Sequence, residues 1–336
     1  MKAVVLRDLG DADRLRLEEV PDPQPGPGEV VVRLRAAALN HRDVWIRRGQ
    51  YAGIKLPIIL GSDGAGEIVD VGAGVDRGLL DRAVVVNPGL GWGDDERFQG
   101  PQWRILGLPD NGTYAELVKV PADAIYAKPD RLSFEEAAAI PLAGLTAYRA
   151  VSSRGRVQAG ETVVVTGIGG GVALFVLQIA HHLGARVGVT SSDPDKLARA
   201  RTLGADVGVN YRTGDWVAEL KNALGKRGAD VIVDGAGGET WAAAMDLAAP
   251  GARVVSYGAT TGAAKSIEVR RVFWKQLNVL GSTMGSPRDF AAMLRLFDEG
   301  PLKPVVDSTF PLADAANAHQ RMENGEQFGK IVLSIP

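Results

Sequence analysis

The chain contains no cysteine. Disulfides, thiolate nucleophiles and every metal site that relies on cysteine are excluded at once. Histidine is scarce too, at four residues. His181 and His182 are consecutive on an expected helix and point about 100° apart, so they do not chelate one ion together. Neither sign of charge dominates: 38 Lys and Arg stand against 40 Asp and Glu, a formal net charge of −2. That balance gives no electrostatic reason to expect a nucleic-acid partner. No run of apolar residues approaches a membrane span, and the opening "MKAVVLRDLGDADRL" carries charges where a signal peptide would have its apolar core. The expectation is a cytoplasmic protein with neither a membrane nor a nucleic acid as partner.

What is abundant is glycine, 42 residues in a chain of 336 that is 46% hydrophobic. The length accommodates two domains, and the glycines point to tight turns and close backbone approaches. The first 125 or so residues read as β-rich: "KAVVL", "EVVVRLRAAAL", "EIVDVG", "RAVVVNP" and "YAELVKVP" are short apolar runs between Pro/Gly clusters. "LNHRDVWIRRGQ" reads as a short helical turn, and 87–112 as a long loop or lobe without a clear period. From about residue 133 the rhythm changes. Ser133 and Glu136 form a capping box ahead of a helix interrupted near Pro141. Strands and helices then alternate through "ETVVVTG", "ARVGVTS", "DVGVNY", "ADVIVDGAG" and "ARVVSYG", the pattern of a parallel sheet covered on both faces. The tail after residue 270 resembles the N-terminal half, so the alternating unit reads as an insertion into the first domain.

Two glycine runs compete as a phosphate loop, which needs a strand, a glycine turn and then a helix N-terminus. "ILGSDGAGEIVDVGAG" fails, because an alternating strand pattern follows Gly66. Its glycines read as a turn or close-packing feature. "ETVVVTGIGGGVALFVLQIA" passes: strand 161–166, turn 167–171, then an apolar helix. Gly167 permits the tight turn. Gly169, Gly170 and Gly171 let backbone N–H groups approach phosphates, with Val172 at the last position of the fingerprint. At the end of the next strand a chain selective for NAD places Asp or Glu. Here stand Ser191 and Ser192, with Lys196 just inside the next helix, a set suited to a 2′-phosphate. NADPH is therefore the expected cofactor over NADH. The alternative, Asp193 as the ribose acid, competes with its reading as a helix cap ahead of Pro194.

The chain resembles the medium-chain dehydrogenase/reductase superfamily, which holds zinc alcohol dehydrogenases and zinc-free quinone oxidoreductases. The resemblance rests on "PGPGEVVVRLRAAALNHRD", "LPIILGSDGAGEIVDVGAGV", "NGTYAELVKVP", "AAAIPLAGLTAYRAV", the glycine turn, "LGADVGVNY" and "GKIVL". It implies an α/β fold: a GroES-like β-rich catalytic domain, 1–126 plus 270–336, split around a Rossmann doubly wound parallel sheet, 127–269. Where zinc members carry "GHE", this chain has Gly61–Ser62–Asp63. The other two ligand positions correspond to Asn40 and to the neighbourhood of Leu142. The resemblance thus implies no catalytic zinc, and the lobe at 88–110 lacks the four cysteines of a structural zinc site. It implies Asn40, Asp43 and Tyr51 as catalytic-cleft residues: Asn40 a donor to substrate oxygen, Tyr51 a donor or a stacking ring, Asp43 a positioning residue. Arg42 stands where zinc alcohol dehydrogenases have a proton-relay hydroxyl. Trp45, Trp92 and Trp103 are either pocket lining or packing.

For the cofactor, the resemblance implies Tyr211 beside the 2′-phosphate with Lys196, the alternative for Tyr211 being a buried strand-end aromatic. It adds Gly235, Gly258 and Ala259 near the riboses, Thr146 and Ser282 near the nicotinamide, and Lys330 near phosphate. The expected activity is zinc-independent hydride transfer from NADPH to a quinone or an α,β-unsaturated carbonyl, in which the arriving charge delocalises onto an oxygen that a hydrogen bond can stabilise. Two alternatives stay open. One is an alcohol dehydrogenase with a metal site rebuilt from His41 and Asp63, and the other a non-catalytic nicotinamide-binding protein. A homodimer or homotetramer is expected from the apolar strand "NVLGS" (278–282), read near the edge of the Rossmann sheet.

Overall fold

The computed structural model describes residues 1–225 and 227–336. The chain forms two compact units, Met1–Ala143 with Ser286–Pro336, and Gly144–Gly285. These boundaries lie at 143/144 and 285/286, whereas the sequence reading set them at 126/127 and 269/270. The later second boundary has a concrete reason: Asn278–Gly281 pairs in parallel with Ala248–Ser256 and so belongs to the sheet of the inserted unit.

The first unit is built on β-sheet. Lys2–Leu6 pairs antiparallel with Leu15–Glu19 and with Ile58–Ile59. A seven-stranded sheet runs in the order Ile125–Ala127, Ala83–Val86, Asp63–Val71, Glu29–Ala38, Lys330–Ser334, Val306–Pro311, with Leu117–Pro121 also paired to Glu29–Ala38. Glu29–Ala38 is buried along most of its length and closes on small residues, Ala36, Ala37 and Ala38, all fully buried. The register of its neighbours places the polar residues that follow. Val332 lies opposite Ala38, so two residues further along the antiparallel pair Lys330 comes level with Asn40. Ala38 also faces Asp63, the first residue of its own strand.

The glycines at 61–66 serve packing. Gly66 sits inside the strand Asp63–Val71, where a Cβ would lie 2.0 Å from the Arg33 carbonyl oxygen. The lobe at 87–112, read as a loop, contains a small antiparallel pair, Gly89–Leu90 with Arg104–Ile105. Trp92 is buried there, meets Trp103 edge to face at 6.1 Å, and donates from Nε1 to Asp95 O. Both rings are thus engaged in packing.

The second unit carries a six-stranded parallel sheet in the order Val207–Asn210, Arg186–Ser191, Thr162–Val165, Ala229–Asp234, Ala248–Ser256, Asn278–Gly281. Numbered along the unit this is 3-2-1-4-5-6, the doubly wound order. Val163, Val164 and Val165 are fully buried, as are Val231, Ile232 and Val233, which is why these strands read as unbroken apolar runs. The strand order reverses between Thr162–Val165 and Ala229–Asp234, and that reversal opens a crevice beyond their carboxyl ends.

Candidate active site

In the first unit the helix His41–Arg47 begins at Asn40, and Asp43, three residues on, accepts from the Asn40 backbone N–H at 2.9 Å. Asp43 is therefore first a helix cap. It is fully buried, and its Oδ2 also accepts from Tyr114 OH at 3.1 Å while Oδ1 has no partner. Burial pushes its carboxyl above the usual range, against the pull of neighbouring Arg42. The Tyr114 hydroxyl lies 3.3 Å from His319 Nε2, and burial drives the His319 imidazole down to about 3. His319 is thus a neutral ring in the core.

The second feature is a cluster around Asp63. Its Oδ1 accepts from Leu142 N at 2.8 Å, and its Oδ2 from Asn40 Nδ2 at 3.0 Å and Lys330 Nζ at 2.9 Å. Lys330 donates further to Leu39 O at 2.6 Å and Asn40 Oδ1 at 2.7 Å. An ammonium has three protons, so all are spent inside the first unit. Asp63 and Lys330 are 0% and 4% exposed. The expectation of Lys330 beside a phosphate is thus replaced by an internal ion pair, because the strand register holds its side chain against Leu39 and Asn40.

Two of the three positions that the resemblance aligns with zinc ligands, 40 and 142, converge on Asp63. The third, Ser62, is buried and shares Leu106 O with Arg42, whose Nη1 donates to Ser62 Oγ at 2.8 Å. The Arg42 guanidinium lies 5.3 Å from the centre of the Tyr51 ring, so that ring carries a cation on its face. His41, the metal ligand considered with Asp63, is exposed and stacks obliquely on Trp45. Asp63 has its oxygens committed elsewhere. Among the described residues no group of three or more His, Cys, Asp or Glu could hold a metal ion.

The second unit places nearly all the expected cofactor residues at the carboxyl ends of its strands. Gly167 and Gly169 have φ of +66° and +129°, conformations that favour glycine, and the helix Gly171–His182 starts directly behind them. Val172 lies in its first turn. Apart from the adjoining chain residues, no described residue lies within 4 Å of where a Cβ at Gly167 or Gly170 would be, which leaves the turn open to a pyrophosphate on the helix N-terminus. Ser191 ends the second strand, with Ser192 after it, and Tyr211 follows the third, 41% exposed and so not a buried strand-end aromatic. The Lys196 side chain lies over Gly169. Asp193 caps the helix Pro194–Thr202 by accepting from Asp195 N and Lys196 N.

Gly235 follows the fourth strand with the Tyr257 ring where its Cβ would go, a packing reason for glycine. Gly258 and Ala259 follow the fifth strand, and Ser282 the sixth, its Oγ buried without a partner. Thr146 lies on the helix Pro141–Tyr148, with Oγ1 3.9 Å from Met284 Sδ. An open glycine turn and an orphaned hydroxyl fit a dinucleotide. Sequence reasoning did not find Asp63, Tyr114 or His319 as members of the buried network. The signal the sequence offers is Lys330 opening the closing strand, where the resemblance implies a phosphate contact instead.

Comparison with known proteins adds the family. Residues 26–130 match the alcohol dehydrogenase GroES-like domain and residues 171–299 the zinc-binding dehydrogenase family. The chain is 35% identical to the zinc-type alcohol dehydrogenase-like protein YogA of Leptosphaeria maculans, over 96% of this chain and 94% of that one. It is 30% identical to a quinone oxidoreductase of Pseudomonas aeruginosa, over 99% of each. A solved NAD-dependent alcohol dehydrogenase superposes over the whole of both chains with a TM-score of 0.96 and 43% identity. No helix among the described residues is long and apolar enough to cross a membrane. A GroES-like β unit split by a doubly wound sheet, together with relatives aligned end to end, establishes that the chain belongs to the medium-chain dehydrogenase/reductase superfamily, as an oxidoreductase with an amide, a hydroxyl and a leucine at the zinc-ligand positions.

Proposed function

We propose that the protein transfers hydride from NADPH to a quinone or an α,β-unsaturated carbonyl without a catalytic metal. The observation that carries this reading is the Asp63 cluster. Where zinc relatives gather metal ligands, this chain gathers Asn40 and Leu142 N on a carboxylate already neutralised by Lys330. Bound nicotinamide supplies the hydride. The protein's part is to hold the turn Gly167–Gly171 against the pyrophosphate, and to present Asn40 Nδ2 and the Tyr51 hydroxyl as donors where oxygen gains charge. Asp43 holds the first turn of the helix that starts at Asn40.

NADPH is preferred over NADH because Asp193 spends its Oδ1 on the helix cap, leaving Ser191, Ser192, Lys196 and Tyr211 around the ends of the second and third strands. The solved relative described as NAD-dependent favours a second reading, oxidation of an alcohol with NAD. Steady-state rates with 9,10-phenanthrenequinone and small enones, using NADPH and NADH, test the choice together with metal content before and after chelation. The proposal expects NADPH-linked quinone turnover that survives chelation. Stoichiometric zinc whose removal stops turnover, or alcohol oxidation with NAD in place of quinone reduction, overturns it.

We also propose that the enzyme works in the cytoplasm as a homodimer or homotetramer. The edge strand Asn278–Gly281, with exposed Val279, and the neighbouring Phe273 and Trp274 (63% and 83% exposed) support association through this edge. A monomeric mass in solution scattering would refute that.

A further inference from the structure

Asn40 is nine-tenths buried, and the structure places its carboxamide between two opposite charges. Oδ1 accepts from the Lys330 ammonium at 2.7 Å, while Nδ2 donates to Asp63 Oδ2 at 3.0 Å. A primary amide nitrogen carries two protons. One is taken by Asp63, and among the described residues the other has no acceptor. Turning the amide over would set its NH2 group against an ammonium and its carbonyl oxygen against a carboxylate, two repulsive contacts in place of two charge-assisted bonds. The cation also draws electron density toward Oδ1, which makes the remaining N–H a stronger donor in a buried setting.

We infer that Lys330 is a positioning residue for hydride transfer, fixing and polarising the Asn40 amide so that its second Nδ2 proton faces the substrate oxygen. The inference rests on the proposed reductase reading. Lys330 does not touch a ligand in this role, since its three protons go to Leu39 O, Asn40 Oδ1 and Asp63 Oδ2. It acts only through Asn40. Asp63 is the counter-charge that lets an ammonium stay buried and also bonds the amide nitrogen. The arrangement stabilises developing negative charge by an oriented neutral donor backed by a cation, rather than by an ion bound to the oxygen itself.

The test must separate this role from plain stability. Lys330→Met alone strands a buried carboxylate, so it is compared with the double variant Asp63→Asn/Lys330→Met, which removes both charges. Melting temperature, NADPH binding by fluorescence, and kcat and KM with 9,10-phenanthrenequinone are read on each. The expected double variant recovers most of the melting temperature lost by the single one and binds NADPH as the parent does, yet loses about 10- to 100-fold in kcat. Adding Asn40→Ala to it costs little further activity, because both changes remove the same donor. A merely structural lysine predicts that kcat returns with stability, and a kcat within twofold of the parent overturns the inference.

A second arm uses the unsubstituted protein with 15N-labelled asparagine, so it does not depend on any variant folding. The Asn40 Nδ2 protons should exchange with solvent at clearly different rates, the Asp63-bound one slower. Equal rates overturn the fixed orientation. If the unsubstituted enzyme reduces no quinone or enone, the functional reading fails and this role fails with it. If it turns over and the double variant matches it, this role alone fails.

Discussion

Replacing Lys330 by methionine keeps the length and apolar stem of the side chain and deletes a charge that is 4% exposed. The hydrogen bonds to Leu39 O, Asn40 Oδ1 and Asp63 Oδ2 are lost together. The heaviest consequence falls on Asp63, fully buried and left with Leu142 N and Asn40 Nδ2 as its donors. Stranding one member of a buried ion pair costs about 3–5 kcal/mol. Two surviving donors put the expected loss at the lower end, about 3 kcal/mol. For a unit of this size each kcal/mol moves the melting temperature by about 2–4 °C, so calorimetry should show a fall of roughly 6–12 °C. Asp63→Asn strands the ammonium instead and should fall comparably, whereas the double variant should lie above the sum of the two losses by a coupling of at least 1 kcal/mol or so. Strictly additive losses would refute the ion pair as the organising contact of this site.

Three further outcomes are expected. Gly66→Ala should cost several kcal/mol or abolish soluble expression, because its Cβ meets the Arg33 carbonyl oxygen, whereas Gly281→Ala, with open space around it, should change the melting temperature by less than about 2 °C. The His319 imidazole is held down to about 3 in the fold, so between its unfolded value near 6.5 and about 3 the unfolded chain binds the extra proton and stability falls as pH falls, by up to about 1.4 kcal/mol per pH unit. Burial raises the Asp43 carboxyl, so Asp43 acts in the opposite sense, its contribution fading as pH rises above the ordinary carboxylate value. Urea titrations across pH 4–7 should show a slope that His319→Leu reduces by about one proton. Asp193→Ala should cost about 1 kcal/mol of stability as a lost helix cap while leaving KM for NADPH within twofold; a tenfold change in coenzyme binding would mark Asp193 as a ribose ligand instead.

Much of the fold was legible because its signals are local. Apolar runs alternating with helical periods mark the parallel sheet, and one strand, turn and helix in sequence separate the candidate phosphate loop from the strand glycines at 61–66. Most of the candidate cofactor residues share a geometric property the sequence expresses well, since Gly167, Ser191, Ser192, Tyr211, Gly235, Gly258 and Ser282 lie at or just after the end of a strand. The unit boundaries were less legible: "NVLGS" reads as lying near the edge of the Rossmann sheet, yet the composition of the tail sets the boundary ahead of it, and the pairing that assigns the strand is decided in three dimensions. The polar cluster was least legible. Asn40, Asp63 and Lys330 are joined by antiparallel registers, and no local pattern announces that residues 290 positions apart will share a proton.

The strand Lys330–Ser334 closes beside Glu29–Ala38 while an entire nucleotide-type unit intervenes in the chain. On the ribosome the inserted unit has all its strands well before this closing segment emerges, so the later part of the chain is complete first and the earlier part waits. A polypeptide that stops short of residue 330 thus already contains every strand of that sheet, yet its Asp63 would have no counter-charge and its Asn40 Oδ1 no ammonium donor. On the proposed reading, capture of the reductant and competence to use it are thereby assembled at different moments of synthesis.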